Sequence, residues 1–219
     1  MNALKLLKPL YWLPMRRRFQ IITARRLWGG NESLSGEGSD LASTVTIRDA
    51  LPGLFAELGV KSLLDVPCGD FHWMNEVPLD GIDYTGGDIL PSLIEVNTQF
   101  FSDDDTRFRE IDLTKDELPK ADLLLCRDCL VHLSNRLVIK ALNNVQQSGC
   151  TWFLSTTFPA IAKNNDIPTG SWRPINLTLA PFNLPQPTRT IRDSDNQPEG
   201  LPNAVLGLWR VSDFPLKSA

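Results

Sequence analysis

Four aspartates stand at or just past short apolar runs in the middle of the chain. Asp65 lies in KSLLDV (61–66), Asp88 follows IDYTGG (82–87), Asp112 follows TRFREI (106–111) and Asp128 follows ADLLLC (121–126). A carboxylate held at a strand end accepts from two neighbouring hydroxyls at once, which is what a ribose presents. Asp65 and Asp88 are 23 residues apart, near the spacing of about 20 at which an acid meets a nucleotide ribose. The loop DVPCGDF after the first run supplies Gly69, where backbone can approach a ligand closely. The pyrophosphate fingerprint G-x-G-x-x-G is absent, since Pro67 stands at its first glycine and no third follows. These residues suit a nucleoside without phosphates. For each acid the alternative is an ordinary strand-end cap.

A second group follows the fourth run. Cys126 and Cys129 form C-x-x-C, with Arg127 and Asp128 between them and His132 three residues on. Zinc needs four ligands, and no second pair has suitable spacing, so no metal is expected. Cys126 instead reads as a small apolar thiol ending a buried strand. His132 is a general-base candidate near neutral pH, and Arg127 has the fork that grips a carboxylate or phosphate. The alternative is that Arg127 and Asp128 pair with the loop and His132 is a packing residue.

The elements that must position these groups follow from periodicity. The four runs, with TWFLST (151–156), read as strands. Between them PSLIEVNTQFF opens on Pro91, a good first helical residue, and SNRLVIKALNNVQQ has Ser134 as expected N-cap and Gly149 past its end. Strand then helix, repeated, means a parallel sheet with helices on both faces, and its ligands belong at the carboxyl ends of the strands. Residues 16–28 read as a basic helix, 29–40 as a Gly/Ser loop, and 41–58 as a helix that tolerates Pro52 and stops at Gly59. Residues 157–203 hold eight of the sixteen prolines and suit binding loops, with strands expected at 175–179 and 204–210.

The chain has 219 residues and a net charge of -4. Residues 1–30 carry Lys5, Lys8, Arg16, Arg17, Arg18, Arg25 and Arg26 and no acid. That segment is +7, so the rest sums to -11. An acidic body excludes a general nucleic-acid binder. The basic segment suits weak contact with an anionic membrane surface or an acidic ligand; the alternative is a solvated helix face. No apolar stretch is long enough for a transmembrane helix. Four cysteines and no convincing export signal point to a reducing, cytoplasmic location.

Taken together, LLDVPCGD, GGDI, IDLT and ADLLLCRDCLVHLS resemble the motifs of the class I S-adenosylmethionine-dependent methyltransferases. The resemblance covers residues 61–156 and extends loosely toward the C-terminus. Pro67 and Phe71 depart from it, each standing for a glycine. It implies an α/β fold, a Rossmann-like three-layer sandwich. The sheet would be mostly parallel and seven-stranded, with helices on both faces and the last strand antiparallel. It implies S-adenosyl-L-methionine as cofactor, held by Asp65, Pro67, Cys68, Gly69, Asp88, Ile89, Asp112, Leu113 and Arg127. The leader WGGNESLSGEGS is similar to W…SGxGS leaders, which adds Trp28, Ser35 and Gly36 and makes residues 1–40 a cover over a catalytic domain at 41–219. His132 or Asp128 would be the base for an alcohol acceptor, whereas a carboxylate acceptor needs only an orienting cation such as Arg127 or Arg173. Trp73, Asn164, Trp172 and Arg173 are expected to bind the acceptor, with Asn165 beside them. The acceptor is a small molecule or a sugar of a glycan. The rival reading is a non-catalytic scaffold of the same fold, which the retained Asp65, Asp88 and Asp112 disfavour.

Overall fold

Each of the five apolar runs becomes a strand of one sheet in the computed structural model, which describes residues 10–193 and 203–215. Lys5 and Lys8 lie outside the described residues, as do residues 194–202 of the proline-rich stretch. The strands are β1 (Ser62–Asp65), β2 (Asp83–Asp88), β3 (Thr106–Glu110), β4 (Leu123–Cys126), β5 (Trp152–Thr157), β6 (Arg189–Arg192) and β7 (Val205–Arg210). Their order is β3-β2-β1-β4-β5-β7-β6. β1 to β5 are parallel, and β7 inserts antiparallel between β5 and β6.

The helices are α1 (Met15–Ala24), α2 (Leu41–Leu58), α3 (Pro91–Phe101) and α4 (Asn135–Gln147). Strand β4 shows how sheet and helices lock. Its four residues LLLC are all buried, and alternate side chains leave opposite faces. Leu123 and Leu125 join Ile47, Leu51 and Leu54 of α2. Leu124 and Cys126 join Val138, Ala141 and Val145 of α4. A strand covered on both faces reads as a continuous apolar run, as this one does. Helix α2 ends on Gly59 at φ 64, a left-handed cap that glycine adopts freely.

Four expectations are corrected. The basic helix ends at Ala24, four residues early. Within it Arg18 is buried, its guanidinium donating to the carbonyls of Leu10, Tyr11, Leu13 and Thr169, so it adds nothing to a basic face. Residues 175–179 form no strand. Asn176 bonds across to the carbonyls of Pro159 and Ile161 and closes a turn onto Thr178, which takes up the groups a neighbouring strand would use. In its place β6 arises from RTIR, where only Ile191 is buried.

The fourth correction concerns the start of α4. Ser134 is the N-cap residue, as expected, but its side chain makes no capping hydrogen bond. The first helical amide, of Asn135, donates to Asp166 Oδ1 at 2.7 Å. A carboxylate from a distant loop thus satisfies an orphan donor and opposes the helix dipole. Replacing Asp166 by Ala should cost about 1 kcal/mol, a fall in Tm of roughly 2–4 °C for a chain this size. Ser134→Ala should leave Tm within about 1–2 °C. Thermal unfolding of both variants checks the assignment, and the reverse ranking would overturn it.

Candidate functional site

The carboxyl ends of β1, β2 and β4 open onto a cavity of about 540 Å³, within the range of roughly 300–1,000 Å³ for small-molecule sites. Pro67, Cys68 and Gly69 reach it from β1, and Asp88 and Ile89 from β2. Arg127, Asp128, Cys129 and His132 reach it from β4. Leu34 to Ser39 of the leader cover it, together with Trp28.

Asp70 fastens that cover. Its carboxylate accepts from Ser33 Oγ at 2.9 and 3.0 Å, from the Leu34 amide at 2.6 Å and from Ser35 Oγ at 3.4 Å. The cover lies so close to the β1 loop that a Cβ on Gly69 would stand 2.2 Å from Ser35 Oγ, and Gly69 has φ 56. Glycine is required there on both counts. Asn97 of α3 holds the same loop from behind, donating from Nδ2 to the Gly69 carbonyl at 2.9 Å. Its Oδ1 is buried without a partner.

Asp88 ends β2 inside the cavity. One oxygen accepts from the Leu90 amide at 2.9 Å and the other from the Gly69 amide at 3.3 Å. Burial raises its pKa to about 6 against these bonds. Asp65 does not line the cavity. It is buried one layer beneath, accepting from the Tyr84 hydroxyl at 2.8 Å. Desolvation lifts its pKa to about 7. Asp112 and Leu113 are also away from the cavity. Asp112 caps its own turn through the amide and hydroxyl of Thr114, and Leu113 packs in the core facing α4.

Past β4 the chain turns sharply, with Asp128 at φ 49, a conformation Asp tolerates better than most residues. The Asp128 amide donates to Thr156 Oγ1 at 2.9 Å. Arg127 is buried and committed. Nε donates to Asp193 Oδ1 at 2.8 Å, Nη2 to the Gly38 carbonyl at 2.8 Å, and Nη1 lies 3.6 Å from Asp128 Oδ2. Its face lies over the Trp73 ring, 5.4 Å from the centroid. Burial opposes its charge, but Asp193 and Asp128 outweigh that and raise the pKa.

His132 lines the cavity with its tautomer assigned by contact. Nδ1 is 2.9 Å from the Ser171 carbonyl, which only accepts, so Nδ1 carries the proton and Nε2 keeps a lone pair. Burial lowers its pKa to about 4. The Trp28 ring covers it at 4.7 Å. Trp172 lines the cavity with 42% of its surface exposed, edge-on to Phe158 at 6.1 Å.

Asn164 and Arg173 are outside the cavity, and their polar atoms are used by the protein. Asn164 donates to the carbonyls of Asn176 and Ala180 and accepts from the Asn176 amide. Arg173 donates to the carbonyls of Leu130 and Asn165 and to Asn135 Oδ1, and desolvation lowers its pKa to about 10. Asn165 contributes that carbonyl and does not line the cavity. These residues tie the 164–176 loop to the β4 exit and so hold Ser171 against His132. Sequence reasoning missed Asp70, Asn97 and Asp193. Asp70 had a signal, since it ends the same DVPCGD motif. Asn97 and Asp193 had none, because their roles depend on distant segments. Among the described residues no cluster of three or more His, Cys, Asp or Glu side chains could hold a metal, and all four cysteines are free.

No protein-family model matches the chain, and no curated protein matches it. Solved structures do. One is a 1,6-didemethyltoxoflavin-N1-methyltransferase from Burkholderia thailandensis, at TM-score 0.59 and 16% identity, covering 90% of this chain and 86% of that one. Another is magnesium protoporphyrin IX methyltransferase from Synechocystis PCC 6803, at 0.59 and 13%, covering 90% and 98%. Human N-acetylserotonin methyltransferase follows at 0.51 and 15%, covering 86% and 66%. The chain has the class I methyltransferase fold, with the expected mostly parallel seven-stranded sheet and antiparallel β7.

The burial of Asp65 predicts a pH slope in stability. Its folded pKa of about 7 exceeds the unfolded value of 3.8. Between those values the folded state holds a proton that the unfolded state has lost, so stability falls as pH rises through this window. Asp65→Asn keeps an acceptor for Tyr84 and removes the titration. The Tm of the variant minus that of the wild type should therefore grow from pH 5 to pH 8, by an amount on the order of a few kcal/mol in stability. A difference flat with pH would show Asp65 to be ionised without penalty.

Proposed function

We propose that this chain is an S-adenosylmethionine-dependent methyltransferase that methylates an oxygen of a small hydroxylated acceptor, a free small molecule or one sugar of a glycan. The carrying observation is that one cavity brings together Asp88, the Pro67–Gly69 turn and a His132 with a free Nε2 lone pair. The free thiols suit a reducing, cytoplasmic compartment.

The residues present fit the cofactor. Asp88 spends part of a carboxylate's roughly four acceptor sites on the backbone amides of Gly69, Ile89 and Leu90, and the remainder suits a ribose hydroxyl. Gly69 brings backbone up to the cavity beside it, without a side chain in the way, and Ile89 is the neighbouring apolar wall. Ser35 and Gly36 of the cover, fastened by Asp70, close the far side and exclude water. S-adenosylmethionine, when bound, supplies an electrophilic methyl carbon on a cationic sulfur.

The chain's own contribution is alignment and proton management. Alignment is worth up to about 7–11 kcal/mol of the barrier. His132 stays neutral across the physiological range because its pKa is about 4. Its Nε2 can accept a hydrogen bond from an acceptor hydroxyl and take the proton as the carbon–oxygen bond forms. A methylated alcohol oxygen is a far stronger acid than the imidazolium, so a base this weak suffices. In this reading Asp128, held by Arg127 and by Thr156, orients the same hydroxyl.

Thermal unfolding with S-adenosylmethionine, S-adenosylhomocysteine and NAD tests the cofactor. Either sulfur nucleoside at 100 times its Kd should add about 2.7 kcal/mol, a rise of roughly 5–10 °C. NAD should add nothing. A rise with NAD alone, or with none, would overturn the reading. With activity in hand, His132→Ala should lower kcat about 10²–10⁴-fold and leave the S-adenosylhomocysteine Kd unchanged. The pH profile should separate the roles. The KM for cofactor should rise as pH falls through about 6, where Asp88 gains a proton. The kcat should hold to about pH 5, since His132 titrates near 4.

A further inference from the structure

We propose that the acceptor is an uncharged, flat aromatic ring carrying a hydroxyl, seated between Trp28 and Trp172 with its hydroxyl on His132 Nε2. This deepens the methyltransferase reading and rests on it.

Charge is the first argument. Arg127 is the one cation among the described residues that line the cavity. Its guanidinium is spent on Asp193, the Gly38 carbonyl, Asp128 and the Trp73 face. Lys, Arg and His are absent from the sequence between Asp193 and Ala204, two residues that both line the cavity. Besides His132 and the thiols of Cys68 and Cys129, the other ionisable side chains that line it among the described residues are the acids Glu37, Asp88, Asp128 and Asp193. A carboxylate or phosphate acceptor would meet acids and no unspent protein cation there, which is unfavourable.

Shape is the second. Phe19, Trp28 and His132 form a continuous aromatic wall, at 5.8 Å from Phe19 to Trp28 and 4.7 Å from Trp28 to His132. Trp172, the residue after the Ser171 that bonds His132, lines the same cavity, and Phe158 meets it edge-on. His132 is the one polar side chain among these ring contacts, although Ser35, Glu37, Ser39 and Ser43 also line the cavity. A polyhydroxylated sugar seated on this wall would turn hydroxyls toward rings. A single hydroxyl on an aromatic ring matches one free imidazole nitrogen among aromatic faces. Trp172 is exposed although aromatic, as a platform awaiting a ring should be.

The test uses matched probes on the full chain. S-adenosylhomocysteine binding is first measured by calorimetry. Next, 2-naphthol, 2-naphthoate and methyl α-glucoside are titrated into the loaded protein. Naphthol should bind at least about tenfold more tightly than naphthoate, which differs by its buried charge. The glucoside should bind more weakly than naphthol. Trp172→Ala should weaken naphthol about tenfold and leave S-adenosylhomocysteine affinity unchanged. With S-adenosylmethionine, naphthol should be the probe that gains a methyl ether. Equal or tighter binding of naphthoate or glucoside, or an unchanged naphthol affinity in Trp172→Ala, overturns the substrate class while the cofactor reading stands. Failure of S-adenosylhomocysteine to bind overturns the cofactor reading, and the substrate class falls with it.

Discussion

A buried guanidinium has to be paired, and in this chain that requirement assembles the cavity. Arg127 and Asp193 are 5% and 4% exposed at the side chain. Removing one partner of such a pair leaves an uncompensated buried charge and costs about 3–5 kcal/mol. Arg127 satisfies itself from three separate stretches of chain: Gly38 of the cover, Asp128 beside it, and Asp193 just past β6. Trp73, from the segment after β1, lies against its face. The groups that bound the cavity are therefore fixed relative to one another by one charge. Arg127 was expected at the ligand site, and it does line the cavity, with its guanidinium bonded to the protein's own groups.

The same logic separates what was legible in the sequence from what was not. The sheet was legible because strands buried on both faces show as apolar runs, and β4 with LLLC is the extreme case. Asp88 was legible because an acid after such a run lies at the ligand-binding edge of a parallel sheet. Asp65 and Asp112 have the same sequence signature and are elsewhere. What distinguishes them is depth: Asp65 faces Tyr84 beneath the loop, and Asp112 turns back on Thr114. One residue of register in a strand, or one local turn, decides between these outcomes, and a spacing argument does not resolve either.

Asn164 and Arg173 show a second limit. A polar residue in a long loop near a site has two uses, to touch a ligand or to satisfy the loop's own backbone. The loop through 164–176 has no ladder of its own, so its carbonyls need donors from side chains. Asn164 donates to the Asn176 carbonyl and Arg173 to that of Asn165, while Asn176 and Arg173 also reach outside the loop to Pro159 and Leu130. The cavity depends on this indirectly, because the Ser171 carbonyl that sets the His132 tautomer belongs to the stretch they hold.

The electrostatics of the cavity then follow from burial more than from charge placement. Desolvation raises Asp88 to about 6 and lowers His132 to about 4, so each is shifted toward its neutral form. For Asp88 the effect is a cost offset by the amides of Gly69 and Leu90. For His132 the effect is useful. An ordinary imidazole would be partly protonated near neutral pH and its Nε2 would then be a donor, unable to accept a hydroxyl proton. Burial keeps the ring neutral near pH 7, and the Ser171 carbonyl holds the proton on Nδ1, so Nε2 remains an acceptor there. The leader that carries Trp28 is fastened by Asp70, a residue of the β1 loop. The leader, His132 and the β1 loop are thus mechanically continuous, and a change that loosens Asp70 reaches His132 without touching it.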